Sequence, residues 1–593
     1  MRLRLRSRLR RAGSRPDGGY ALPGVIGIGL VMLILIAGSL SVTSTGLVKA
    51  DNDQDWNAAL AAAYGGAAEY QSRLSNDSTY QKYGNPGAAF TKTPLSTVTL
   101  PTGAVANPAF DIATGGTWAT IPGSDGRASY RYEVNNSQYS LSGILKLRVT
   151  GKVGNATRSI VVDLKQTGFL DFLYFTDFET LDPDIVGASS DCERYAWATP
   201  ARPSGCTEIQ FGAADVIDGP VHSNDTLVIC SSTFKRAVTS ASTLPYENAC
   251  ASTPPKFSVG TGVTYRSAID IPPTNADMKK EARNDLSADV PRPGCIYTGP
   301  TSITMNSNGT MTIVSPWTLF TNVAAIKANS TNPAQCGSIA DLHSAAGATV
   351  AALDKNLIYV QNVPKDTADA NYSLTSPTSA FTCTGSGATQ GWSIGTIRYP
   401  MTGESTPATS SALYPAYGCE NGDLFVKGVF NGEMTLAAEN YVYVTGDLTY
   451  DDPASSILGI VGQSAVWIWN PMKFTYSNGN ISGSTALLPA TGGRTVHAAI
   501  LSVAHTFMVQ NYQYGGKRGD LTVLGAIAQK FRGTVATTNS GAIVNGYSKK
   551  YIYDDRLRVT APPKFLSPVS TTYGVSQYAT VPAAFTAAGT PVP

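Results

Sequence analysis

From Ala21 to Leu40 the chain runs for twenty residues without a charge, and the next charged side chain is Lys49. As a helix that run covers about 30 Å, the thickness of a bilayer's hydrocarbon core. Ahead of it stands "MRLRLRSRLRRAGSRPD", with seven arginines against the single acid Asp17. That asymmetry holds the N-terminus in the cytoplasm and sends the rest of the chain outward. A cleaved secretory signal is the competing reading. Such signals carry an apolar core of about 7–15 residues and a small-x-small cleavage site, whereas this run is longer and "SVTSTGLVKAD" offers no such site. The expectation is a retained single-pass helix, with the body at the cell surface.

Charge narrows the partners of that body. Residues 1–19 take seven of the 44 basic and one of the 42 acidic residues, leaving 37 against 41, so the exported part is weakly acidic and lacks the basic field of a nucleic-acid binder. With 57 Gly, 35 Pro and only 15% charged residues, the composition favours strands and turns over long helices. Eight cysteines, Cys192, Cys206, Cys230, Cys250, Cys295, Cys336, Cys383 and Cys419, all follow the apolar run. An even number in an exported chain points to disulfides. Spacing alone does not fix their connectivity; nearest-neighbour pairing, Cys192–Cys206, Cys230–Cys250, Cys295–Cys336 and Cys383–Cys419, is the expectation. None of the four histidines stands at zinc-ligand spacing from a cysteine, so no metal site is expected.

After the apolar run, Trp56, Leu60, Ala63, Ala67, Tyr70 and Leu74 recur at spacings of 3 and 4, one face of an amphipathic helix. Two readings stay open: a single rod of about 50 residues, or a short juxtamembrane helix. Residues 76 to about 115 are turn-rich. Then "RASYRYEV", "GILKLRVTG" and "ATRSIVVDL" read as an antiparallel meander with a hairpin near Lys152–Asn155. Helix and sheet together form a small α+β unit.

The basic leader, "GGYALPGVIGIGLVMLILIAGSL", the "DNDQDWNAALAAAYGGAAEYQSRLSND" helix and the hairpin "LRVTGKVGNATRSIVVDLK" resemble the N-terminal part of actinobacterial proteins with a PilX-type minor pilin start. The resemblance covers residues 1 to about 170 and implies a type IV pilus-like assembly with other pilin subunits and their assembly machinery as partners. It implies leader cleavage between Gly19 and Tyr20, after a glycine and before an aromatic residue. The family's usual glutamate at the fifth mature position is Gly24 here, as in pilins that start or cap a filament.

Beyond residue 170, "GDLFVKGVF" (422–430), "GDLTY" (446–450) and "GDLTVLGAI" (519–527) form a weak repeat, the first and third with a glycine five residues after the aspartate. Short apolar strands such as "NYVYVTG", "SAVWIWN" and "HAAILSV" lie between them. Stacked rungs of a parallel β-solenoid would show this pattern; a sandwich or jelly-roll is the alternative. On the solenoid reading, Leu424, Val426, Leu448, Leu521 and Val523 face a shared interior, while Asp423, Asp447 and Asp520 sit at turns.

Catalytic chemistry is sparse. Asp171, Asp177, Glu179, Asp182 and Asp184 cluster within 14 residues, but the expectation is a solvated turn rather than an acid–base pair or a calcium loop. Asp451-Asp452-Pro453 reads as a turn. His222 lies near Asp225, yet no G-x-S-x-G elbow supplies a nucleophile, and no phosphate loop, dinucleotide fingerprint or H-E-x-x-H helix occurs. Trp467 and Trp469 belong either to a sugar-stacking strip or to a core.

The chain therefore reads as mainly β and non-enzymatic, with no cofactor: a leader (1–19), a membrane helix (20–46), its amphipathic continuation (47–75), an antiparallel head (76–168) and a β-rich, disulfide-bearing body (169–593). Its expected role is that of a membrane-anchored structural protein of the cell surface. The alternatives are a carbohydrate-binding adhesin, with a cell-wall or surface glycan as partner, and a polysaccharide-acting β-helix enzyme.

Overall fold

The computed structural model describes residues 21–592 apart from positions 94, 114, 140–143, 167, 213–214, 245, 250–253, 288, 408, 410–412, 490–491, 540–541, 559 and 569–572. Its first element is one unbroken helix, Ala21–Asn76, of 56 residues, or about 84 Å. The apolar run and the amphipathic stretch are thus a single rod.

The helix's C-terminal part docks on an antiparallel sheet. Ala119–Thr120, Ala128–Asn135, Ile144–Val153 and Ala156–Gln166 pair in sequence order, and the last two meet in a tight turn at Gly154-Asn155. Ala59, Ala62, Ala63, Ala67, Tyr70 and Leu74 are buried against it. The alanines let the helix sit almost on the strand backbone: a Cβ on Gly151 would lie 2.1 Å from the Ala59 carbonyl oxygen. Tyr70 enters a nest of rings, with Tyr132 at 5.1 Å, Tyr80 at 5.3 Å and Phe110 at 6.4 Å.

One expected boundary needs correction. The head does not end at residue 168, because Tyr573–Val581 returns from the far end of the chain and pairs antiparallel with Ala156–Gln166. Without it that strand would be an open edge with unpaired backbone groups. The neck sheet thus joins residues some 400 positions apart, and the body is an excursion between its last two strands.

The body is built on parallel ladders. One column of facing residues runs Tyr297, Val360, Ala438, Gly462, Ser502, Gln529, Thr176, Ser223, Ser240, Tyr265. At about 4.8 Å per strand the stack is about 43 Å tall. A second column runs Met305, Gly428, Leu448, Val496, Val523, Tyr551, Ile217, Phe234, Phe257. A third joins Thr301, Leu424, Val442, Val466 and Phe507. Antiparallel pairs between named strands of the body, such as Met472–Ser477 with Asn480–Ala486, are local hairpins, except that Thr310–Val314 pairs with Ala348–Ala351 across a longer connection.

The order of these columns gives the chain's path. It enters mid-stack at Tyr174–Phe178, winds one way to Val263–Tyr265, crosses to the opposite end at Cys295–Thr298, and winds back until Lys517–Phe531 pairs with the strand where it began. The crossing segment lies on the outside of one ladder, where Ile269, Met278 and Ala282 cover Ile296, Leu357, Ala437, Val461 and Leu501. Since the incoming and outgoing strands meet at one level, both ends of the body reach the neck.

Leu424, Val426, Leu448, Leu521 and Val523 all face the main core. The glycine shared by two of the repeats has a steric cause. Gly428 (φ +113°) and Gly525 (φ +152°) sit where a Cβ would come within 2.1 Å of the Met305 carbonyl oxygen and 1.9 Å of the Ala498 carbonyl oxygen. Asp447 and Asp520 do not sit at turns as expected: both are exposed but lie within strands, Val442–Tyr450 and Lys517–Phe531, while Asp423, just ahead of the strand Leu424–Phe430, is fully buried. Its Oδ1 accepts hydrogen bonds from Asn440 Nδ2 (2.7 Å) and the Tyr441 amide (3.2 Å), tying one rung's corner to the next.

Disulfides join Cys192–Cys206, Cys295–Cys336 and Cys383–Cys419, with Cα separations of 5.6–5.7 Å. Cys230 is disulfide-bonded as well, and its expected partner Cys250 lies outside the described residues.

Candidate functional site: an unpartnered apolar helix

In the first half of the long helix every described side chain is exposed. Leu33, Ile34, Leu35 and Ile36 are four successive residues, pointing in four directions, and are 68, 62, 66 and 53% exposed. A Cβ added at Gly24, Gly27, Gly29, Gly38 or Gly46 would meet no atom within 4 Å. A helix apolar all round requires an apolar surrounding on every side. Its polar groups are compatible with one, since the hydroxyls fold back on the helix: Ser39 donates to the Ile36 carbonyl (2.9 Å), Thr43 to Ser39 (2.8 Å) and Ser44 to Ser41 (3.0 Å). The helix is long and apolar enough to cross a membrane. Gly19 and Tyr20, the expected processing junction, lie outside the described residues.

The acidic cluster expected as a solvated turn is instead largely built into the stack. Glu179 is fully buried and accepts from Arg532 Nη1 at 2.6 Å; it also holds the Thr176 hydroxyl. Asp177 accepts from Tyr195 (2.7 Å) and Asn224 (2.8 Å), and burial pushes its carboxyl up. Asp171 pairs with Lys165 at 3.2 Å. The reason is register: Tyr174–Phe178 is a central strand of the ladders, so its flanking acids are enclosed and must be paired.

The remaining candidates are likewise engaged by their neighbours. Asp182, Asp184 and His505 bring ligand-capable atoms within 4.8 Å of one another, a juxtaposition sequence spacing does not show. Asp182 is already occupied, Oδ1 capping the short helix Pro183–Val186 and Oδ2 meeting His505 Nδ1 at 2.8 Å. His222 is buried between Phe172 and Phe175, with ring centroids at 5.1 and 5.8 Å. Its nitrogens meet Thr239 (2.8 Å) and Asn224 (3.2 Å) rather than Asp225, and burial, helped by Arg266, lowers its pKa to about 3. Asp225 serves Arg202. Asp451 and Asp452 form an exposed turn.

Trp467 and Trp469 are 4 and 8% exposed. Phe425, Tyr443 and Trp467 do line up on the outward face of one ladder, but the excursion closed by Cys383–Cys419 covers them, with Tyr399 stacked on Phe425 at 4.0 Å. That excursion also encloses Glu404, which accepts from Tyr417 at 2.6 Å; burial raises its pKa to about 7. Nothing in local sequence distinguishes Glu404 from a surface acid. Arg532, an arginine ending the apolar run "LGAIAQKFRG", was the more readable signal of a buried partner.

No protein-family model matches the chain, and no curated protein matches it. Among solved structures it is similar to the competence-associated pilin ComZ from Thermus thermophilus, at 11% identity over 89% of this chain and 97% of that one, with a TM-score of 0.26. A likeness at that level carries no argument about this chain.

Proposed function

We propose that this chain is a membrane-anchored structural protein of the cell surface, a minor pilin-like component of a type IV pilus or related assembly. One observation carries the reading: the first half of the Ala21–Asn76 helix exposes apolar side chains on all sides, while the second half of the same rod is fixed on a folded neck. That arrangement transmits a position in a bilayer or filament core to a body displayed outside. The parallel ladders support a solenoid body, and the pairing of the clustered acids supports display rather than turnover.

Chemical sequencing of the N-terminus, on protein recovered from the membrane fraction, tests the reading. A start at Tyr20 is the expected result for a pilin-like subunit, in which removal of the arginines frees the helix to move outward. A start at Met1 or Arg2 reduces the proposal to a plain anchor. A start beyond residue 40, or recovery only in the soluble fraction, overturns it.

A further inference from the structure

Where neck and body meet there is an open cleft of about 1160 Å3. Gly574, Val575 and Gln577 of the returning strand form one wall with Lys165. Residues of the body's incoming strands, including Phe172 and Val221, form the other. Four cations, Lys165, Arg236, Arg266 and Arg558, face two carboxylates, Asp171 and Asp555. The carboxylates are spoken for. Arg236 grips Asp555 with both terminal nitrogens, one contact at 2.8 Å. Lys165 holds Asp171 at 3.2 Å and the Leu557 and Arg558 carbonyls at 2.9 and 3.0 Å. Arg266 and Arg558 form no ion pair among the described residues, although the charge of Arg558 joins that of Arg236 in holding the Asp555 carboxyl below the usual range. Arg266 lies over the Phe172 ring, its guanidinium carbon 5.1 Å from the centroid, a contact that uses none of its N–H donors.

We infer that this cleft binds a linear acidic oligosaccharide, with Arg266 and Arg558 each taking one of its anionic groups. The observations that favour this class are a net charge of +2 across the cleft on a weakly acidic body, two free guanidinium forks suited to carboxylate or phosphate oxygens, and a volume beyond the roughly 300–1,000 Å3 of ordinary small-molecule sites. Half-exposed Val259 and Val575 offer apolar contact to sugar-ring faces. The inference does not rest on how the membrane helix is used, and it places the ligand away from the buried tryptophans.

The test uses the full chain in detergent micelles, titrated by calorimetry with trigalacturonate, a phosphorylated maltotriose and neutral maltotriose. At least one anionic trimer is expected to bind, weakening as salt rises, while maltotriose does not; which trimer binds more tightly tells whether carboxylate or phosphate is preferred. Arg558→Gln and Arg266→Gln should each weaken binding about tenfold, one charge-assisted contact apiece. Asp555→Asn, which releases Arg236, should tighten it. Arg558 is exposed, so its variant keeps the test meaningful if Arg266→Gln disturbs folding. Absence of binding by both anionic trimers, equal binding of maltotriose, or unchanged affinity in Arg558→Gln overturns the inference. Binding of anionic-lipid vesicles that survives the double variant would assign any charge effect to the membrane instead.

Discussion

The two halves of the long helix share one backbone geometry and differ in every other respect. Among the described side chains of residues 21–48 none is buried, whereas Ala59 to Leu74 present one buried face built from alanines, Tyr70 and Leu74. Helix geometry therefore says nothing about surroundings; the distribution of apolar residues around the axis does. A uniform distribution calls for an apolar medium, and a stripe calls for a single partner.

The sharpest way to break this contrast is to truncate large side chains in each half. Tyr70→Ala empties the centre of a nest of three rings and should cost the neck about 3–5 kcal/mol, read as a lowered midpoint of chemical unfolding in detergent. Leu33→Ala, made in the exposed half, should leave that midpoint where it is. Equal losses at both positions would mean that the first half packs on the protein after all.

A smaller effect with the opposite signature comes from Leu33→Lys. A lysine in the middle of a membrane span costs roughly 3 kcal/mol of insertion, so the fraction recovered in membranes should fall by about a hundredfold in equilibrium terms, with the neck's unfolding midpoint unchanged. Unaltered membrane recovery would locate this half of the helix elsewhere.

Legibility in the sequence follows the same line. Patterns whose meaning is local were readable: the apolar run, the stripe from Ala63 to Leu74, the hairpin at Gly154-Asn155, and the glycines at 428 and 525. What depends on distant neighbours was not. The return of Tyr573–Val581 to the neck leaves no mark within ten residues of either strand. Three copies of Gly-Asp-Leu look alike, yet Asp423 is enclosed while Asp447 and Asp520 are exposed: the copies do not stand level in the ladder, Leu424 facing Val442 while Leu448 faces Gly428, so only Asp423 lies at the corner where Asn440 and the Tyr441 amide meet it. The acids from 171 to 184 looked like a turn for the same reason, since Arg532, Glu179's partner, stands some 350 residues away. The apolar helix was the most legible part of the site, and the basic cleft between neck and body the least.

Asp423 tests whether neighbours outweigh local sequence away from the helix. Burial raises its folded pKa to about 8 from an ordinary 3.8. The folded state then holds a proton the unfolded chain releases, so this group's contribution is fully present below about pH 4 and is lost as pH rises through about 8. Between pH 6 and 8 the wild type should lose about 2–3 kcal/mol relative to Asp423→Asn, measured as the difference in unfolding free energy at the two pH values. A flat difference for Asp423→Asn would mean that its carboxyl is ionised at neutral pH.

The smallest effect concerns the point where the halves of the helix meet. Trp56 continues the spacing of the buried stripe but is 50% exposed, and its ring carries the Arg158 guanidinium at 4.4 Å from the centroid. Docking is complete only from Ala59 onward; at Trp56 the helix has begun to rise off the sheet, and the side chain reaches back to hold one cation from the strand Ala156–Gln166. An exposed cation–π contact is worth about 0.5–1 kcal/mol, so Trp56→Ala should lower the neck's stability by that amount and Trp56→Phe by less. The same loss should appear when Arg158→Ala is made alone, and the double variant should lose little more than either single one, since both remove one contact. A loss of about 3 kcal/mol or more at Trp56 would place it inside the core and move the boundary between the two environments a full turn toward the N-terminus.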